Sequence, residues 1–158
     1  MKGDLARLIA THAGAGRVDW IGVRPVRLQP LMPEETAWLG LDGLRGDHAR
    51  PGKRAVTLMQ AEHLPVISAL ARMDVTPDLL RRNLLISGIN LSALNGTVLQ
   101  IGDAVLRLTG PCAPCSRMEV ALGTGGYSAM RGHGGWCAEV LQPGTVAVGS
   151  TVIPAQEL

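Results

Sequence analysis

Two segments in the second half of the chain share one pattern, which constrains the fold more than any other feature. The segment GTVLQIGDAVLRL covers residues 96–108, and the segment GTVAVGSTVIP covers residues 144–154. Each begins with Gly-Thr-Val, passes through a glycine followed by a polar residue, and ends in β-forming residues. A Gly-Asp or Gly-Ser pair between two such runs is typical of a tight hairpin turn. We therefore predict two hairpins that belong to a compact, strand-rich barrel.

The rest of the chain is predicted to add strands and a few helices. The tripeptide Thr76-Pro77-Asp78 favours a helix start, because threonine caps helices, proline fits their first position and aspartate suits the positive dipole end. This helix should end near residues 82–83. Residues 31–54, rich in glycine, proline and charge, are typical of a long functional loop. Further strands are expected over residues 18–28, 56–60 and 84–87, and a further helix over residues 61–71. The predicted fold class is mainly β with peripheral helices.

The composition indicates one folded domain and excludes several classes of protein. The chain has 158 residues, 46% of them hydrophobic, and a formal net charge of +2, which excludes a disordered chain. Its lysines and arginines are scattered along the sequence, so a polybasic surface for nucleic acid is not expected. The sequence contains no Phe and one Tyr, which also disfavours a platform for stacking bases. No nucleic-acid partner is therefore predicted.

Neither an export signal nor a membrane span is predicted. The first residues, MKGDLARLIATHAG, carry Asp4 and Arg7 and lack the apolar core of a signal peptide. Residues 83–102 contain no charge, but three Asn, two Ser and three Gly make them too polar for a spanning helix. We therefore expect a cytoplasmic protein with no membrane partner.

The segment GPCAPCSR, residues 110–117, is the strongest candidate for chemistry. It follows a predicted strand and precedes a predicted helix over residues 116–122, so a cysteine there lies at the positive end of a helix dipole. Three cysteines without a signal peptide favour thiol chemistry or metal binding over a disulfide framework. Three alternatives remain open: a redox dithiol, a single thiolate that carries sulfur or binds a soft metal, and a structural zinc site. The zinc ligands would be Cys112, Cys115, His133 and Cys137.

Other candidate residues lie in three further places. Residues 123–135, GTGGYSAMRGHGG, carry six glycines around Arg131 and His133, and such a segment can approach an anion closely. His48 lies in the long loop between Arg45 and Arg50. Arg82 and Asn83 lie between a predicted helix and a predicted strand, where Asn83 could bind a polar ligand.

These residues, taken in order, resemble a MOSC domain, the module named for the C-terminal region of molybdenum cofactor sulfurase. The resemblance covers residues 18–153 and is greatest to the small stand-alone bacterial proteins of the family. It identifies the whole chain, residues 1–158, as a single MOSC domain. The matching stretches are GDHA, GKRAVTLMQAEHL, LLRRNLLISGINLSAL, GTVLQIGDAVLRLTG, PCAPCSRME, GGYSAMRGHGG and GTVAVGSTV.

The resemblance implies a MOSC-type β-barrel that binds the molybdenum cofactor, a pyranopterin. The family's cysteine matches Cys115, which would be a molybdenum ligand in the reduction of N-hydroxylated compounds or a persulfide carrier. The matched motifs also imply a set of cofactor-binding residues, in which the arginines would bind the phosphate. The set is Arg45, His48, Arg82, Asn83, Arg131 and His133.

The resemblance also implies which partners the chain would need. A reductase of this length requires an electron-donating protein, because the sequence contains no flavin, haem or iron–sulfur motif. A sulfur carrier requires a separate desulfurase, because the chain is too short to include the pyridoxal phosphate domain of the sulfurase. We therefore expect an enzyme or sulfur-transfer protein that binds a small-molecule substrate or cofactor.

Overall fold

The computed structural model describes residues 2–155. Within them, every helix is too short or too polar to span a lipid bilayer. The strands are β1 (Gly16–Val23), β2 (Met32–Pro33), β3 (Thr36–Gly40), β4 (Gly43–Leu44), β5 (Val56–Gln60), β6 (Leu84–Ser87), β7 (Val98–Ile101), β8 (Ala104–Pro111), β9 (Trp136–Gln142), β10 (Gly144–Ala147) and β11 (Thr151–Pro154). The helices are α1 (Lys2–Ala10), α2 (His63–Ala71), α3 (Pro77–Leu80), α4 (Ser116–Leu122) and α5 (Gly126–Met130), with a 3₁₀ turn at Leu91–Leu94.

Seven strands form a closed barrel, which confirms the predicted fold class. Around the barrel the order is β11, β7, β8, β9, β5, β6 and β1, and β1 pairs with β11 to close the ring. All of these neighbours are antiparallel except β5 and β6. Closure leaves no unpaired edge within the ring. Short β2 extends β1, and β10, β3 and β4 form a separate three-stranded sheet.

The parallel pair β5 and β6 needs a crossover connection, and α2 and α3 supply it. Both strands are buried on both faces: Leu58 and Leu84 face the barrel interior, whereas Met59 and Leu85 face the helices. This explains why apolar residues occupy consecutive positions in both strands, at 58–59 in β5 and at 84–86 in β6. The helices α2 to α5 therefore form a layer on one side of the barrel.

The barrel interior is filled by aliphatic side chains. Val, Ile, Leu and Ala from the ring strands make up most of this cluster, and Leu99, Ile101 and Leu106 are fully buried within it. A second, smaller cluster of Ile, Leu, Val and Met residues lies between the barrel wall and the helix layer. Because the chain has no Phe, interior volume is filled by many branched side chains in place of a few rings.

One of the two predicted hairpins is confirmed and the other is wrong. β7 and β8 pair as a hairpin through Gly102 and Asp103. The second segment does turn, at Val148 and Gly149, but its strands diverge, since β10 pairs with β3 and β11 pairs with β7 and β1. The turn of the first hairpin lies between them, where the Gly102 and Asp103 amides donate to the carbonyls of Thr151 and Thr145 at 3.2 and 3.1 Å.

Several predicted boundaries also differ from the structure. Residues 31–54 are not one long loop, because they contain β2, β3 and β4. The first strand ends at Val23, before Pro25, and the helix after Thr76 is a single turn that ends at Leu80. Thr76 makes no side-chain capping hydrogen bond. The strands predicted over 56–60 and 84–87 and the helix over 116–122 are confirmed.

Candidate functional site

A cavity of about 670 Å³ opens at the end of the barrel where β1 and β8 end and β5, β6 and β9 begin. We call it the arginine cavity, because seven of its lining residues are arginines. All three cysteines of the chain, Cys112, Cys115 and Cys137, also line it. The arginines are Arg24, Arg27, Arg50, Arg54, Arg81, Arg82 and Arg117.

Asn83 ties together the floor beneath this cavity. Its side-chain oxygen accepts hydrogen bonds from the backbone amide and the hydroxyl of Thr57, both at 3.1 Å. Its Nδ2 donates to the Gly22 carbonyl at 3.1 Å and to Asp47 Oδ2 at 3.2 Å. Asp47 Oδ1 in turn accepts from the Arg24 amide at 2.7 Å. The buried Asn83 amide therefore links β1, β5, β6 and the loop after β4, and it has no amide hydrogen left for a pterin.

Arg24 and Arg81, two of the arginines that line the cavity, carry unsatisfied donors. The Nε of Arg24 and the Nη2 of Arg81 are buried without a hydrogen-bond partner. Burial lowers the pKa of Arg81, and the like charges of Arg24 and Arg117 lower it further. Arg81 also has a left-handed backbone, with φ of 60°, because it is the C-cap residue of α3. The unpartnered nitrogens and the neighbouring like charges are typical of a site that is completed by an anionic ligand.

Arg82 has a positioning role at the edge of the cavity. Its Nε donates to the Gly134 carbonyl at 2.7 Å, and its Nη1 donates to the Leu80 carbonyl at 3.3 Å. Gly134 approaches the backbone of Cys112 so closely that a Cβ there would overlap the Cys112 carbonyl oxygen. The Cys112 amide also donates to the Gly135 carbonyl at 2.8 Å. These glycines therefore let residues 134–135 pack against the cysteine segment.

Cys112 and Cys137 form a hydrogen-bonded thiol pair on adjacent strands. The hydrogen bond and burial raise the pKa of Cys112. The same hydrogen bond, aided by Arg54 and Arg82, lowers the pKa of Cys137 to about 7, although burial acts in the opposite direction. Both residues are buried. The pair therefore titrates as a unit in which Cys137 loses its proton more readily than Cys112.

Cys115 differs from the other two cysteines because it is exposed. It occupies the N-cap position of α4, and its carbonyl accepts a hydrogen bond from the Met118 amide at 2.9 Å. Its sulfur is thus available at the rim of the cavity to a ligand or to another protein. Arg117 follows in the first turn of α4 and lines the same cavity.

The structure brings together only part of the predicted site. His48, Arg82 and Cys115 line the arginine cavity, and Asn83 lies beneath it. Arg45 lies outside the lining, where its guanidinium carbon is 5.9 Å from the centre of the Trp38 ring. Arg131 is also outside the lining, exposed at the end of α5.

His133, the last of the predicted cofactor residues, contacts His63 and does not line the cavity. The two rings meet edge to face, with centroids 5.2 Å apart. The Nδ1 of His133 is buried without a partner. The zinc site predicted from Cys112, Cys115, His133 and Cys137 is wrong: within residues 2–155 no three His, Cys, Asp or Glu side chains lie together as a possible metal site.

The sequence analysis missed most of the arginines that line the cavity. Arg24 follows directly after β1, Arg27 lies four residues beyond the end of that strand, and Arg81 precedes the predicted Arg82. Arg54 lies two residues before β5. Arg117, the last residue of the cysteine segment, was considered only as a cation near the thiols. A possible signal was their position, since most of these arginines lie within a few residues of a strand or helix end on the same side of the barrel. That shared side became visible only when the strand order was known.

The sequence also matches a known protein family. The family profile of the MOSC domain matches residues 39–153. The chain belongs to the MOSC domain family. No curated protein matches this MOSC domain closely enough to count as a relative.

Solved structures share the fold of this MOSC domain. The YuaD protein from Bacillus subtilis has a TM-score of 0.76 and 16% identity, with 88% of this chain and 94% of that chain covered. YiiM from Geobacillus stearothermophilus has a TM-score of 0.73 and 17% identity, with 89% and 75% covered. YiiM from Escherichia coli has a TM-score of 0.69 and 20% identity, with 90% and 71% covered. At these identities the similarity concerns the fold.

Proposed function

We propose that this MOSC domain binds the molybdenum cofactor in the arginine cavity, with Cys115 as the thiolate ligand of molybdenum, and reduces N-hydroxylated compounds. The observation that carries the proposal is that soft thiol donors and phosphate-binding guanidinium groups line the same cavity. The cofactor combines a phosphate with a molybdenum held by sulfur, so it needs both kinds of group in one place.

The residues present fit such a group. The volume of about 670 Å³ lies in the range of about 300–1,000 Å³ that small-molecule and cofactor sites occupy. The unpartnered nitrogens of Arg24 and Arg81 would gain hydrogen bonds from a phosphate. Cys115, exposed at the rim, supplies a soft sulfur ligand.

Each part of the site has a separate task in this proposal. The bound cofactor would supply a redox-active molybdenum centre. Arg24 and Arg81 bind and orient the phosphate, and Arg82 holds residue 134 and thereby the cysteine segment in place. The Cys115 thiolate ligates the metal from the N-terminal end of α4. Asn83 maintains the floor that positions Arg24.

The proposed reductase requires electrons from another protein. We propose a separate electron-donor protein that approaches the open side of the arginine cavity, where Cys115 is exposed. We place this activity in the cytoplasm, where reducing conditions keep thiols such as these free.

A second role, persulfide carrier, is favoured by the exposure of Cys115. In that role the Cys115 thiolate attacks the outer sulfur of a persulfide on a desulfurase. A sulfur–sulfur bond forms at Cys115, the donor's sulfur–sulfur bond breaks, and the donor leaves as a thiolate. Such a transfer needs an accessible thiol, which the buried Cys112 and Cys137 do not offer.

Metal and pterin analysis tests the cofactor proposal. We expect near-stoichiometric molybdenum in protein produced by a host that makes the cofactor, and loss of most of it in Cys115→Ser. Cys112→Ser should retain pterin and most of the metal. Arg107→Gln, which changes an exposed arginine outside the cavity, should match the wild type. Wild-type protein without molybdenum or pterin from such a host would overturn the proposal.

Mass spectrometry separates the two roles of Cys115. A carrier gains the mass of one sulfur atom on Cys115 after incubation with a desulfurase and cysteine. The gain is reversed by a reducing agent and is absent in Cys115→Ser. A protein that retains molybdenum but never gains sulfur is the metal-ligating form.

A further inference from the structure

The arginine cavity carries more positive charge than one phosphate can balance. Seven arginines line it, and within the described part of the chain no carboxylate belongs to that lining. A phosphate monoester near neutral pH carries between about one and a half and two negative charges. Together with an ionised Cys137 and the Asp47 carboxylate of the adjoining recess, a single phosphate balances at most four of the seven guanidinium charges, so at least three remain without a counter-ion.

An adjoining recess of about 110 Å³ gathers three of these arginines at the inner end of the cavity. Arg24, Arg54 and Arg81 line the recess. Asp47 also lines it, and its carboxylate oxygens accept hydrogen bonds from the Arg24 amide and from Asn83. Because three guanidinium groups outnumber this one carboxylate, the recess is positive overall and suits one tetrahedral anion.

A second set of arginines lines the cavity outside the recess. Arg27, Arg50 and Arg117 line the cavity but not the recess. Cys115 also lines the cavity but not the recess. Positive charge is thus divided between an inner group that lines the recess and an outer group that shares the rest of the cavity with the sulfur that the proposed reaction uses.

Arg81 lies close to positive charge from both sets. Burial lowers its pKa, and Arg24 of the inner set and Arg117 of the outer set lower it further, although Cys115 acts in the opposite direction. An anion in the recess would offset the repulsion from Arg24, but it would leave Arg117 and its neighbours unbalanced.

We propose that the arginine cavity binds two anionic groups at once, one in the recess of Arg24, Arg54 and Arg81 and one beside Arg27, Arg50 and Arg117. This inference rests on the proposed function, because it takes the cofactor's phosphate as the anion in the recess. The substrate that reaches Cys115 then carries an anionic group of its own, a phosphate or a carboxylate. A neutral substrate would leave the outer arginines without a counter-ion.

Calorimetric titration of cofactor-free protein with inorganic anions tests this arrangement. We expect two equivalents of orthophosphate per chain. One equivalent of triphosphate should bind at least about tenfold more tightly than a single orthophosphate, because one molecule reaches both groups. A single equivalent of orthophosphate, together with triphosphate no tighter than orthophosphate, would overturn the proposal.

Matched substitutions assign the two anions to their groups. Arg81→Gln should remove the inner equivalent and Arg117→Gln the outer one, and each should weaken triphosphate binding about tenfold. Arg107→Gln is the control and should keep both equivalents. If Arg81→Gln does not fold, Arg24→Gln serves for the inner group. Equal losses in Arg107→Gln and in the cavity variants would mean nonspecific charge attraction and would contradict two defined sites.

Protein loaded with the molybdenum cofactor tests whether the outer group stays free for a substrate. In the loaded protein we expect one equivalent of orthophosphate still to bind, and we expect Arg117→Gln to abolish that binding. Loss of both equivalents on loading would refute the outer substrate site. Failure of the proposed function is recognised separately, as absence of molybdenum from the wild type, and it leaves the count of anions in cofactor-free protein unaffected.

Discussion

Asn83 shows how one buried side chain determines the shape of the arginine cavity. Its side-chain amide forms hydrogen bonds with Gly22, Asp47 and Thr57, and Asp47 in turn accepts a hydrogen bond from the Arg24 backbone amide. Loss of such a hub leaves several buried polar groups without partners, and each costs about 1–3 kcal/mol. The asparagine therefore acts on the ligand site through the position of Arg24.

Substitution of Asn83 tests this role. We expect Asn83→Ala to lower the free energy of unfolding by about 2–4 kcal/mol, because partner groups on β1 and β5 lose their hydrogen bonds. Urea denaturation followed by circular dichroism measures the change. Asn95→Ala, at an exposed asparagine, is the matched control and should change stability by less than about 0.5 kcal/mol. An equal effect at both positions would show that the amide network contributes little.

Residue types in this site were partly predictable. Cys115 was singled out because it precedes a helix, and the structure does place it at the N-cap of α4 and at the rim of the cavity. Arg45 and Arg131 were chosen from equally suggestive motifs, yet neither lines the cavity. A motif states which residues are available, whereas the direction of a loop side chain depends on neighbours that are distant in sequence.

At the scale of elements, α2 and the residues after α5 are joined by a histidine pair. His63 begins α2, and its ring packs edge to face on His133. Burial lowers the pKa of His63, and the neighbouring His133 lowers it further, although Glu62 acts in the opposite direction. The neutral form of His63 is therefore the one that the folded protein favours.

This contact makes stability depend on pH below the ordinary histidine pKa of about 6.5. Between that value and the lower pKa in the folded state, the unfolded chain binds a proton that the folded protein does not. The free energy of unfolding therefore falls as the pH drops through this window. We expect His63→Gln to make the decline in melting temperature between pH 7 and pH 5 shallower than in the wild type. An unchanged slope would exclude His63 as its source.

The two Gly-Thr-Val segments show how far strand pairing can be predicted from local sequence. Their local sequences are alike, and both form a turn at the expected glycine. Only the first segment forms a hairpin. In the second segment β10 and β11 do not pair, because the turn of the first hairpin lies between them and its Gly102 and Asp103 amides donate to their carbonyls. Hairpin propensity is local, but strand partners are selected by what else is packed nearby.

At the scale of the whole molecule, the closed barrel depends on tight aliphatic packing in its interior. Leu99 is fully buried there. We expect Leu99→Ala to lower the free energy of unfolding by about 2–5 kcal/mol, since it removes apolar contacts and leaves a cavity. Leu70→Ala, at a leucine on α2 that is 58% exposed, is the matched control for the same chemical change.

Denaturant titration of both leucine variants measures this difference. The Leu70→Ala control should change stability by less than about 1 kcal/mol, because most of its surface stays in water when the protein folds. Similar losses at the two positions would mean that the interior packs loosely. The same curves report whether the transition stays cooperative, as expected for one domain with one main core.

By itself, the sequence determined the class of fold, the strands of the parallel pair, the family and the cysteine at the rim. These depend on local patterns: apolar runs, turn residues and a cysteine segment ahead of a helix. Only the tertiary structure decided which arginines form the cavity, that Cys112 pairs with Cys137, and that His133 faces His63. Those outcomes depend on barrel closure, which brings together strand ends from residues 24 to 137 that the sequence keeps apart.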